Sequence, residues 1–286
     1  MFEKLEARRL FESILRRHDI RKAYKMVGPK DSWYDTITTV HRSLAQIRQL
    51  PHEDWELTSH DGLSLKAVFY PGTTDKTMIW VHGYTSHGER ESAFPGLFYH
   101  SLGYNVLVPY MRAHGPSQGK YITLGPLESM DVQQWVRRVN DRHPQGKILI
   151  HGLSMGGGIV LDLATIEMEN VACLISDAPS TDIFGYSPNG KEKVHELLLA
   201  RYRKVIGYDP RDFDRVKNIA EGKYPLLLSA GSNEQMDEAL ASLKERNPQP
   251  TSVVILPGCN HGNGMYKQTE LYQSAIKEFL AKYMDA

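Results

Sequence analysis

Cysteine is nearly absent: the chain of 286 residues has two, Cys173 and Cys259. Two thiols so far apart are not the dense, even pattern of a disulfide framework, so a packed core must hold the fold, and two reduced thiols in a cytoplasmic protein are expected. Net charge is absent too, because 34 Lys and Arg balance 34 Asp and Glu. With no basic field to hold a phosphate backbone, nucleic acid is excluded as an expected partner. Nowhere does the chain run for the roughly 18 apolar residues that a membrane helix needs, so no integral span is expected. The charged start MFEKLEARRLFESILRRHDIRKAY lacks the apolar centre of a secretory signal. Repeats and low-complexity tracts are missing. So are a Gly-x-Gly-x-x-Gly before a helix and the Lys-Ser/Thr ending that would make GLSMGGG a phosphate loop. His195-Glu196 begins like a zinc-protease helix, but HELLL lacks the second histidine four residues on. His82, His87 and His114 have no spacing that dictates a metal, so neither metal nor cofactor is expected.

What is present is ordinary globular material, 41% hydrophobic and 24% charged. The length suits one large α/β domain or two small ones. Residues 1 to about 50 read as helix, with Leu10 and Ile14, then Phe11 and Leu15, at i, i+4 spacing. They are assigned to an N-terminal helical extension packed on a domain spanning 51–286. The alternative, a membrane-surface or partner helix, rests on Arg8, Arg9, Arg16 and Arg17, and the interspersed Glu3, Glu6 and Glu12 weaken it. From Trp55 onward short apolar runs alternate with helical ones, the sign of a parallel sheet covered on both faces. The runs predict eight strands, 55–58, 65–70, 77–81, 105–109, 147–152, 172–176, 225–230 and 252–256. Helices are predicted near 90–102, 126–140, 155–168, 235–246 and 266–283. Asp61-Gly62 between the first two strands signals a hairpin, so the sheet starts antiparallel and then turns parallel. Between about 181 and 223 the strand rhythm stops. A helical insertion of that length reads as a cap over a site.

The stretch KILIHGLSMGGG runs an apolar strand into Gly-x-Ser-x-Gly and then into a helix starting at Met155. That is a nucleophile elbow in its required context, with Ser154 as nucleophile. Gly152 and Gly156 leave room where side chains would strike the neighbouring helix and strand. His151 reads as a packed strand residue. VHGYT after the third strand fits the second half of an oxyanion hole, with the backbone N–H groups of Tyr84 and Met155 as donors. The Tyr84 ring is a further candidate to line the pocket. His261, in LPGCNHGN after the last strand, takes the place of general base in the order nucleophile, acid, base. Three carboxylates compete as the acid: Glu234 in AGSNEQMD, Asp177 at the end of the sixth strand, and Asp237 one helical turn beyond Glu234.

Together these segments resemble α/β hydrolases, in particular bacterial carboxylesterases of the cinnamoyl-esterase-like branch. The matching pieces span Trp55 to Tyr283: HDGLSLKAVFYPG, IWVHGYTSHGER, LGYNVLVPYMRAHGPSQGKYITLG, ILIHGLSMGGG, LPGCNH and LYQSAIKEFL. The resemblance implies an α/β-hydrolase fold and a serine hydrolase that cleaves a carboxylic ester through an acyl-enzyme on Ser154. Two positions depart from the pattern. Tyr110 and Ala113 replace the Asp and first Gly of Asp-x-Arg-Gly-His-Gly-x-Ser, while Arg112, His114, Gly115 and Ser117 remain. In the acid turn Glu234 stands where the branch has Asp, and the longer side chain must sit further back. The expected partner is a small acyl substrate, and a homodimer is compatible with the chain. Ile183, Phe184, Tyr186 and Leu197 to Leu199 of the insertion are expected to make an apolar pocket for a short acyl or aromatic ester. A thioesterase or peptidase shares the same machinery. A noncatalytic binding protein would be expected to have lost Ser154 or His261.

Overall fold

The computed structural model describes residues 2–18, 27–184 and 191–285. Its centre is an eight-stranded sheet: β1 (Glu53–Thr58), β2 (Ser64–Tyr70), β3 (Thr77–Val81), β4 (Asn105–Pro109), β5 (Ile148–Leu153), β6 (Val171–Asp177), β7 (Leu226–Gly231) and β8 (Thr251–Leu256). The order across the sheet is β1-β2-β4-β3-β5-β6-β7-β8. β2 pairs antiparallel with both β1 and β4, and every later pair is parallel. All eight expected strands are present, within one or two residues of their anticipated bounds. This is the α/β-hydrolase fold read from the sequence.

The helices are α1 (Phe2–Leu15), α2 (Tyr34–Ile47), α3 (Gly88–Ser101), α4 (Pro126–Arg142), α5 (Met155–Leu163), α6 (Glu192–Ile206), α7 (Arg215–Asn218), α8 (Asp237–Arg246), α9 (Gly264–Lys267) and α10 (Thr269–Tyr283). None is long and apolar enough to cross a membrane. β3 to β7 are buried on both faces, so their runs of Ile, Leu and Val supply two cores by simple alternation of the pleat. Ile79, Val81, Leu107, Ile148 and Ile150 meet Val132, Trp135 and Val136 of α4 and Leu240 and Leu243 of α8. Met78, Trp80, Val106, Val108 and Leu149 meet Leu44 and Ile47 of α2, Phe98 and Tyr99 of α3, and Ile276 and Phe279 of α10.

The first 50 residues are not one continuous helix. α1 ends at Leu15, after which Arg16 bridges to Tyr121 and Arg17 N–H donates to Lys120 O at 2.9 Å. α1 packs on α6, and Phe11 and Leu15 form a third small core with Ile183, Leu198 and Tyr202. α2 instead packs on α3 and joins the main core. The departure at Ala113 also has a backbone consequence. Its φ of 61° places a Cβ in the left-handed region that glycine occupies most readily.

Candidate active site

The parallel strands end at one edge of the sheet, where an open α/β sheet forms its ligand crevice. Ser154 follows β5 and has φ 61° and ψ −115°, a strained conformation for a residue with a side chain. The surrounding packing fixes it there. Ser154 N–H donates to Asp177 O at 2.8 Å, and Ser180 N–H donates to Ser154 O at 3.1 Å. The expected roles of the flanking glycines hold: a Cβ on Gly152 would strike Gly156 O, and one on Gly156 would strike Val81 O.

His261 lies in the loop after β8, with Nε2 2.8 Å from Ser154 Oγ and Nδ1 2.5 Å from Glu234 Oε2. Glu234 ends a 3₁₀ turn, Ser232–Glu234, directly after β7. Its other oxygen accepts Gly231 N–H at 2.7 Å, so the carboxylate is held from both sides. The Glu234 side chain is 8% exposed and that of His261 57%, so the imidazole is fixed at one edge and open at the other. The hydrogen bond that His261 Nδ1–H donates to Glu234 raises the His261 pKa above its ordinary 6.5; burial opposes this, and the charges of Glu234 and Glu91 add to it.

The other two carboxylates lie elsewhere. Asp237 is an exposed residue in the first turn of α8. Asp177 is buried and paired with His151, whose Nε2 is 2.9 Å from Asp177 Oδ2. Ser229 Oγ and Tyr272 OH also donate to Asp177, and Tyr99 OH lies 2.9 Å from His151 Nδ1. This network lies under the elbow and draws on β5, β6, β7, α3 and α10. Asp177→Asn leaves His151 with a weakened partner and is expected to lower stability by about 3 kcal/mol. At about 2–4 °C per kcal/mol, thermal unfolding should shift down by about 6 °C or more. An unchanged melting temperature would show that the network is not a stabilising one.

The turn after β3 approaches Ser154 closely, since a Cβ on Gly83 would lie 3.5 Å from Ser154 Cβ. Its support escaped the sequence reading. Glu91, in the first turn of α3, is buried, and Gly83 N–H donates to its Oε1 at 2.9 Å and its Oε2 at 3.2 Å. Trp80 Nε1–H donates to the same carboxylate at 3.1 Å. Burial raises the Glu91 pKa to about 7 against the opposing effect of these hydrogen bonds. His82 braces the turn from the other side, 2.9 Å from Gly83 O through Nδ1, while Nε2 accepts Met111 N–H at 3.1 Å. Complete burial keeps His82 neutral, with its pKa well below the ordinary value. Met155 opens α5, and the first N–H groups of a helix have no acceptor within it.

A cavity of about 440 Å³ opens on Ser154 and His261. Among the described residues, those expected to shape it from the 181–223 insertion do not line it. Phe184 packs edge-on against Tyr202 and, with Ile183 and Leu199, lines a separate cavity between α6 and residues 210–216. Ile183 and Leu198 are taken up by the third core, which α1 completes. Tyr186 lies outside the described residues. Tyr84 does line the Ser154 cavity, and its hydroxyl donates to Ile14 O at 2.6 Å. A further part of the wall is Trp33, Thr36, Ile37 and Val40 of the N-terminal region, for which the sequence suggests a packing role.

Comparison with known proteins bears on the family and the fold. The profile of a hydrolase family described as serine aminopeptidase, S33, matches residues 72–217, half of the chain. The chain belongs to this family of α/β hydrolases. The S33 match spans the strand before Gly83, the elbow and part of the insertion. Beyond it, an uncharacterised protein, YqkD of Bacillus subtilis, is 25% identical over 266 residues, covering 86% of this chain and 85% of its own. Among solved structures, the esterase Pf2001 of Pyrococcus furiosus superposes with a TM-score of 0.65 at 25% identity, over 91% of this chain and 97% of its own. Est1E of Butyrivibrio proteoclasticus, solved with ferulic acid bound, shares the fold at a TM-score of 0.61 and 19% identity, over 81% and 100%.

Proposed function

We propose that this S33-family hydrolase is a serine carboxylesterase that transfers an acyl group from an ester to Ser154 and then to water. The observation that carries the reading is the hydrogen-bonded series Ser154 Oγ, His261, Glu234 at 2.8 and 2.5 Å. His261 Nε2 takes the Oγ proton as Oγ attacks the carbonyl carbon. The negative charge that develops on the carbonyl oxygen is met by the N–H groups of Tyr84 and Met155, at the mouth of the strained turn and the N-terminus of α5. Collapse expels the alkoxide, which receives the proton from His261. A water deprotonated by the same imidazole then releases the acid. Glu234 holds the ring with Nε2 toward the serine and stabilises its cationic form.

The esterases among the structural neighbours favour ester cleavage, and the family's aminopeptidase description favours an amide as the second reading. Comparing kcat/KM across p-nitrophenyl esters, thioesters and aminoacyl amides separates the esterase from a peptidase or thioesterase. Labelling by a fluorophosphonate probe tests the shared first step. Failure of the wild-type protein both to label and to cleave any of the panel would overturn the reading in favour of a binding protein with a hydrolase fold.

Glu91 has a supporting part in this scheme. Glu91→Ala releases Gly83 N–H and is expected to lower kcat about 10- to 100-fold, less than outright loss of an oxyanion donor, about 100- to 1000-fold. KM should change little. Glu91→Gln keeps an acceptor for Gly83 and Trp80 and should recover most of the loss. Equal losses in both variants would mean that the charge matters rather than the placement of the turn.

A further inference from the structure

The wall of the Ser154 cavity formed by the N-terminal region has a division of labour built into α2. Its second half is an anchor. Leu44 and Ile47 are buried in the main core, and Gly96 of α3 admits the Ile47 side chain so closely that a Cβ there would lie 2.9 Å from Ile47 Cδ1. Arg48 then closes the anchor on Glu89, with Nε 3.2 Å from Oε1 and Nη2 2.7 Å from Oε2. The preceding half has a different partner. Trp33, Ile37 and Val40 fall at i, i+4, i+7, so one face of the helix carries all three side chains, and that face borders the cavity holding Ser154 and His261. Leu153 and Tyr266 add apolar surface to the same cavity.

We propose that Trp33, Ile37 and Val40 form the hydrocarbon-chain selector of this enzyme, receiving the aliphatic chain of the ester as its carbonyl meets Ser154. The assignment deepens the esterase reading and rests on it. Apolar side chains beside the nucleophile reward substrates in proportion to the apolar surface they bury, about four-fold in kcat/KM for each methylene taken out of water. The anchor is separate from this half, and because Ile37 and Val40 are themselves buried, each variant is first checked for fluorophosphonate labelling and an unchanged melting temperature.

The experiment uses the full-length protein and two substrate series: p-nitrophenyl esters from acetate to decanoate, which vary the acyl chain, and alkyl acetates from ethyl to decyl, which vary the alcohol. In the series whose chain lies along α2, Val40→Trp should exclude about two methylenes and lower the long-to-short ratio of kcat/KM by about fifteen-fold. Ile37→Ala should move the optimum in the opposite direction, toward longer chains, with little risk to the helix because alanine is the strongest helix former. Opposite shifts in one series support the selector, and the series in which they occur identifies the chain as acyl or alcohol. Unmoved ratios in both series, in variants that still accept the fluorophosphonate label, would overturn the selector and leave the esterase reading standing. A wild-type protein that neither labels nor cleaves would overturn both.

Discussion

Ser154→Ala is expected to reduce kcat for p-nitrophenyl butyrate on the order of a millionfold and to abolish fluorophosphonate labelling. The size follows from what the side chain does: without Oγ there is no covalent intermediate, and any residual hydrolysis must use water against the backbone donors alone. The effect should fall on kcat with substrate binding retained, since the cavity wall is supplied by other residues. Alanine also fits the site, because Ser154 is positioned through its backbone and a methyl group adds nothing that its strained φ does not already tolerate. Circular dichroism and melting temperature should therefore match the parent, and labelled peptide mapped from the wild type should contain Ser154. A variant that keeps more than about one-thousandth of the parent rate would exclude Ser154 as nucleophile.

The second large effect is expected at Glu234. Glu234→Ala should lower kcat/KM about 10⁴-fold, because the imidazole loses both its orienting partner and the charge that stabilises its cation. This residue also governs the pH profile. His261 must be neutral to accept the serine proton, so activity is lost as pH falls through its pKa. In the parent the acid limb lies above the ordinary histidine value of 6.5, because Glu234 raises that pKa. Without Glu234 the limb should move down. The residual activity of the variant, followed from pH 5 to 9, would show this shift. Asp177→Asn and Asp237→Ala should leave the limb where it is, and a shift in either would reassign the acid. The pH readout separates the three carboxylates even where a destabilised variant loses activity for other reasons.

Much of this was legible before any coordinates because the evidence is local. Apolar runs of five to seven residues with turn residues between them place the strands, and Gly-x-Ser-x-Gly needs only its own strand and helix to be read. The choice among carboxylates was harder. Asp177 and Glu234 both follow strand ends, and what separates them is direction: Asp177 meets His151 and Tyr272, partners 26 and 95 residues away, while Glu234 reaches the His261 loop. In sequence Glu91 is one of two acids, with Glu89, at a helix start, and only burial against Trp80 and Gly83 reveals its part. The pocket wall was misplaced for a similar reason. Ile183, Phe184 and Leu198 follow the elbow in sequence and are suitably apolar, yet α1 and Tyr202 give that apolar segment a core of its own. Nothing in the amphipathic pattern of α2 says which cavity it borders. The break between α1 and α2 did have a local sign, Gly28-Pro29, which interrupts the helical spacing.

The cavity draws together residues far apart in the chain, Trp33 and Val40 with His261 and Tyr266. During synthesis, the pocket wall and the nucleophile leave the ribosome long before the histidine. Until then a nascent chain has Ser154 without the imidazole that stands 2.8 Å from its Oγ in the folded protein. The Ser154–His261 pair therefore forms only after the loop beyond β8 has been made and folded back onto the turn that follows β5.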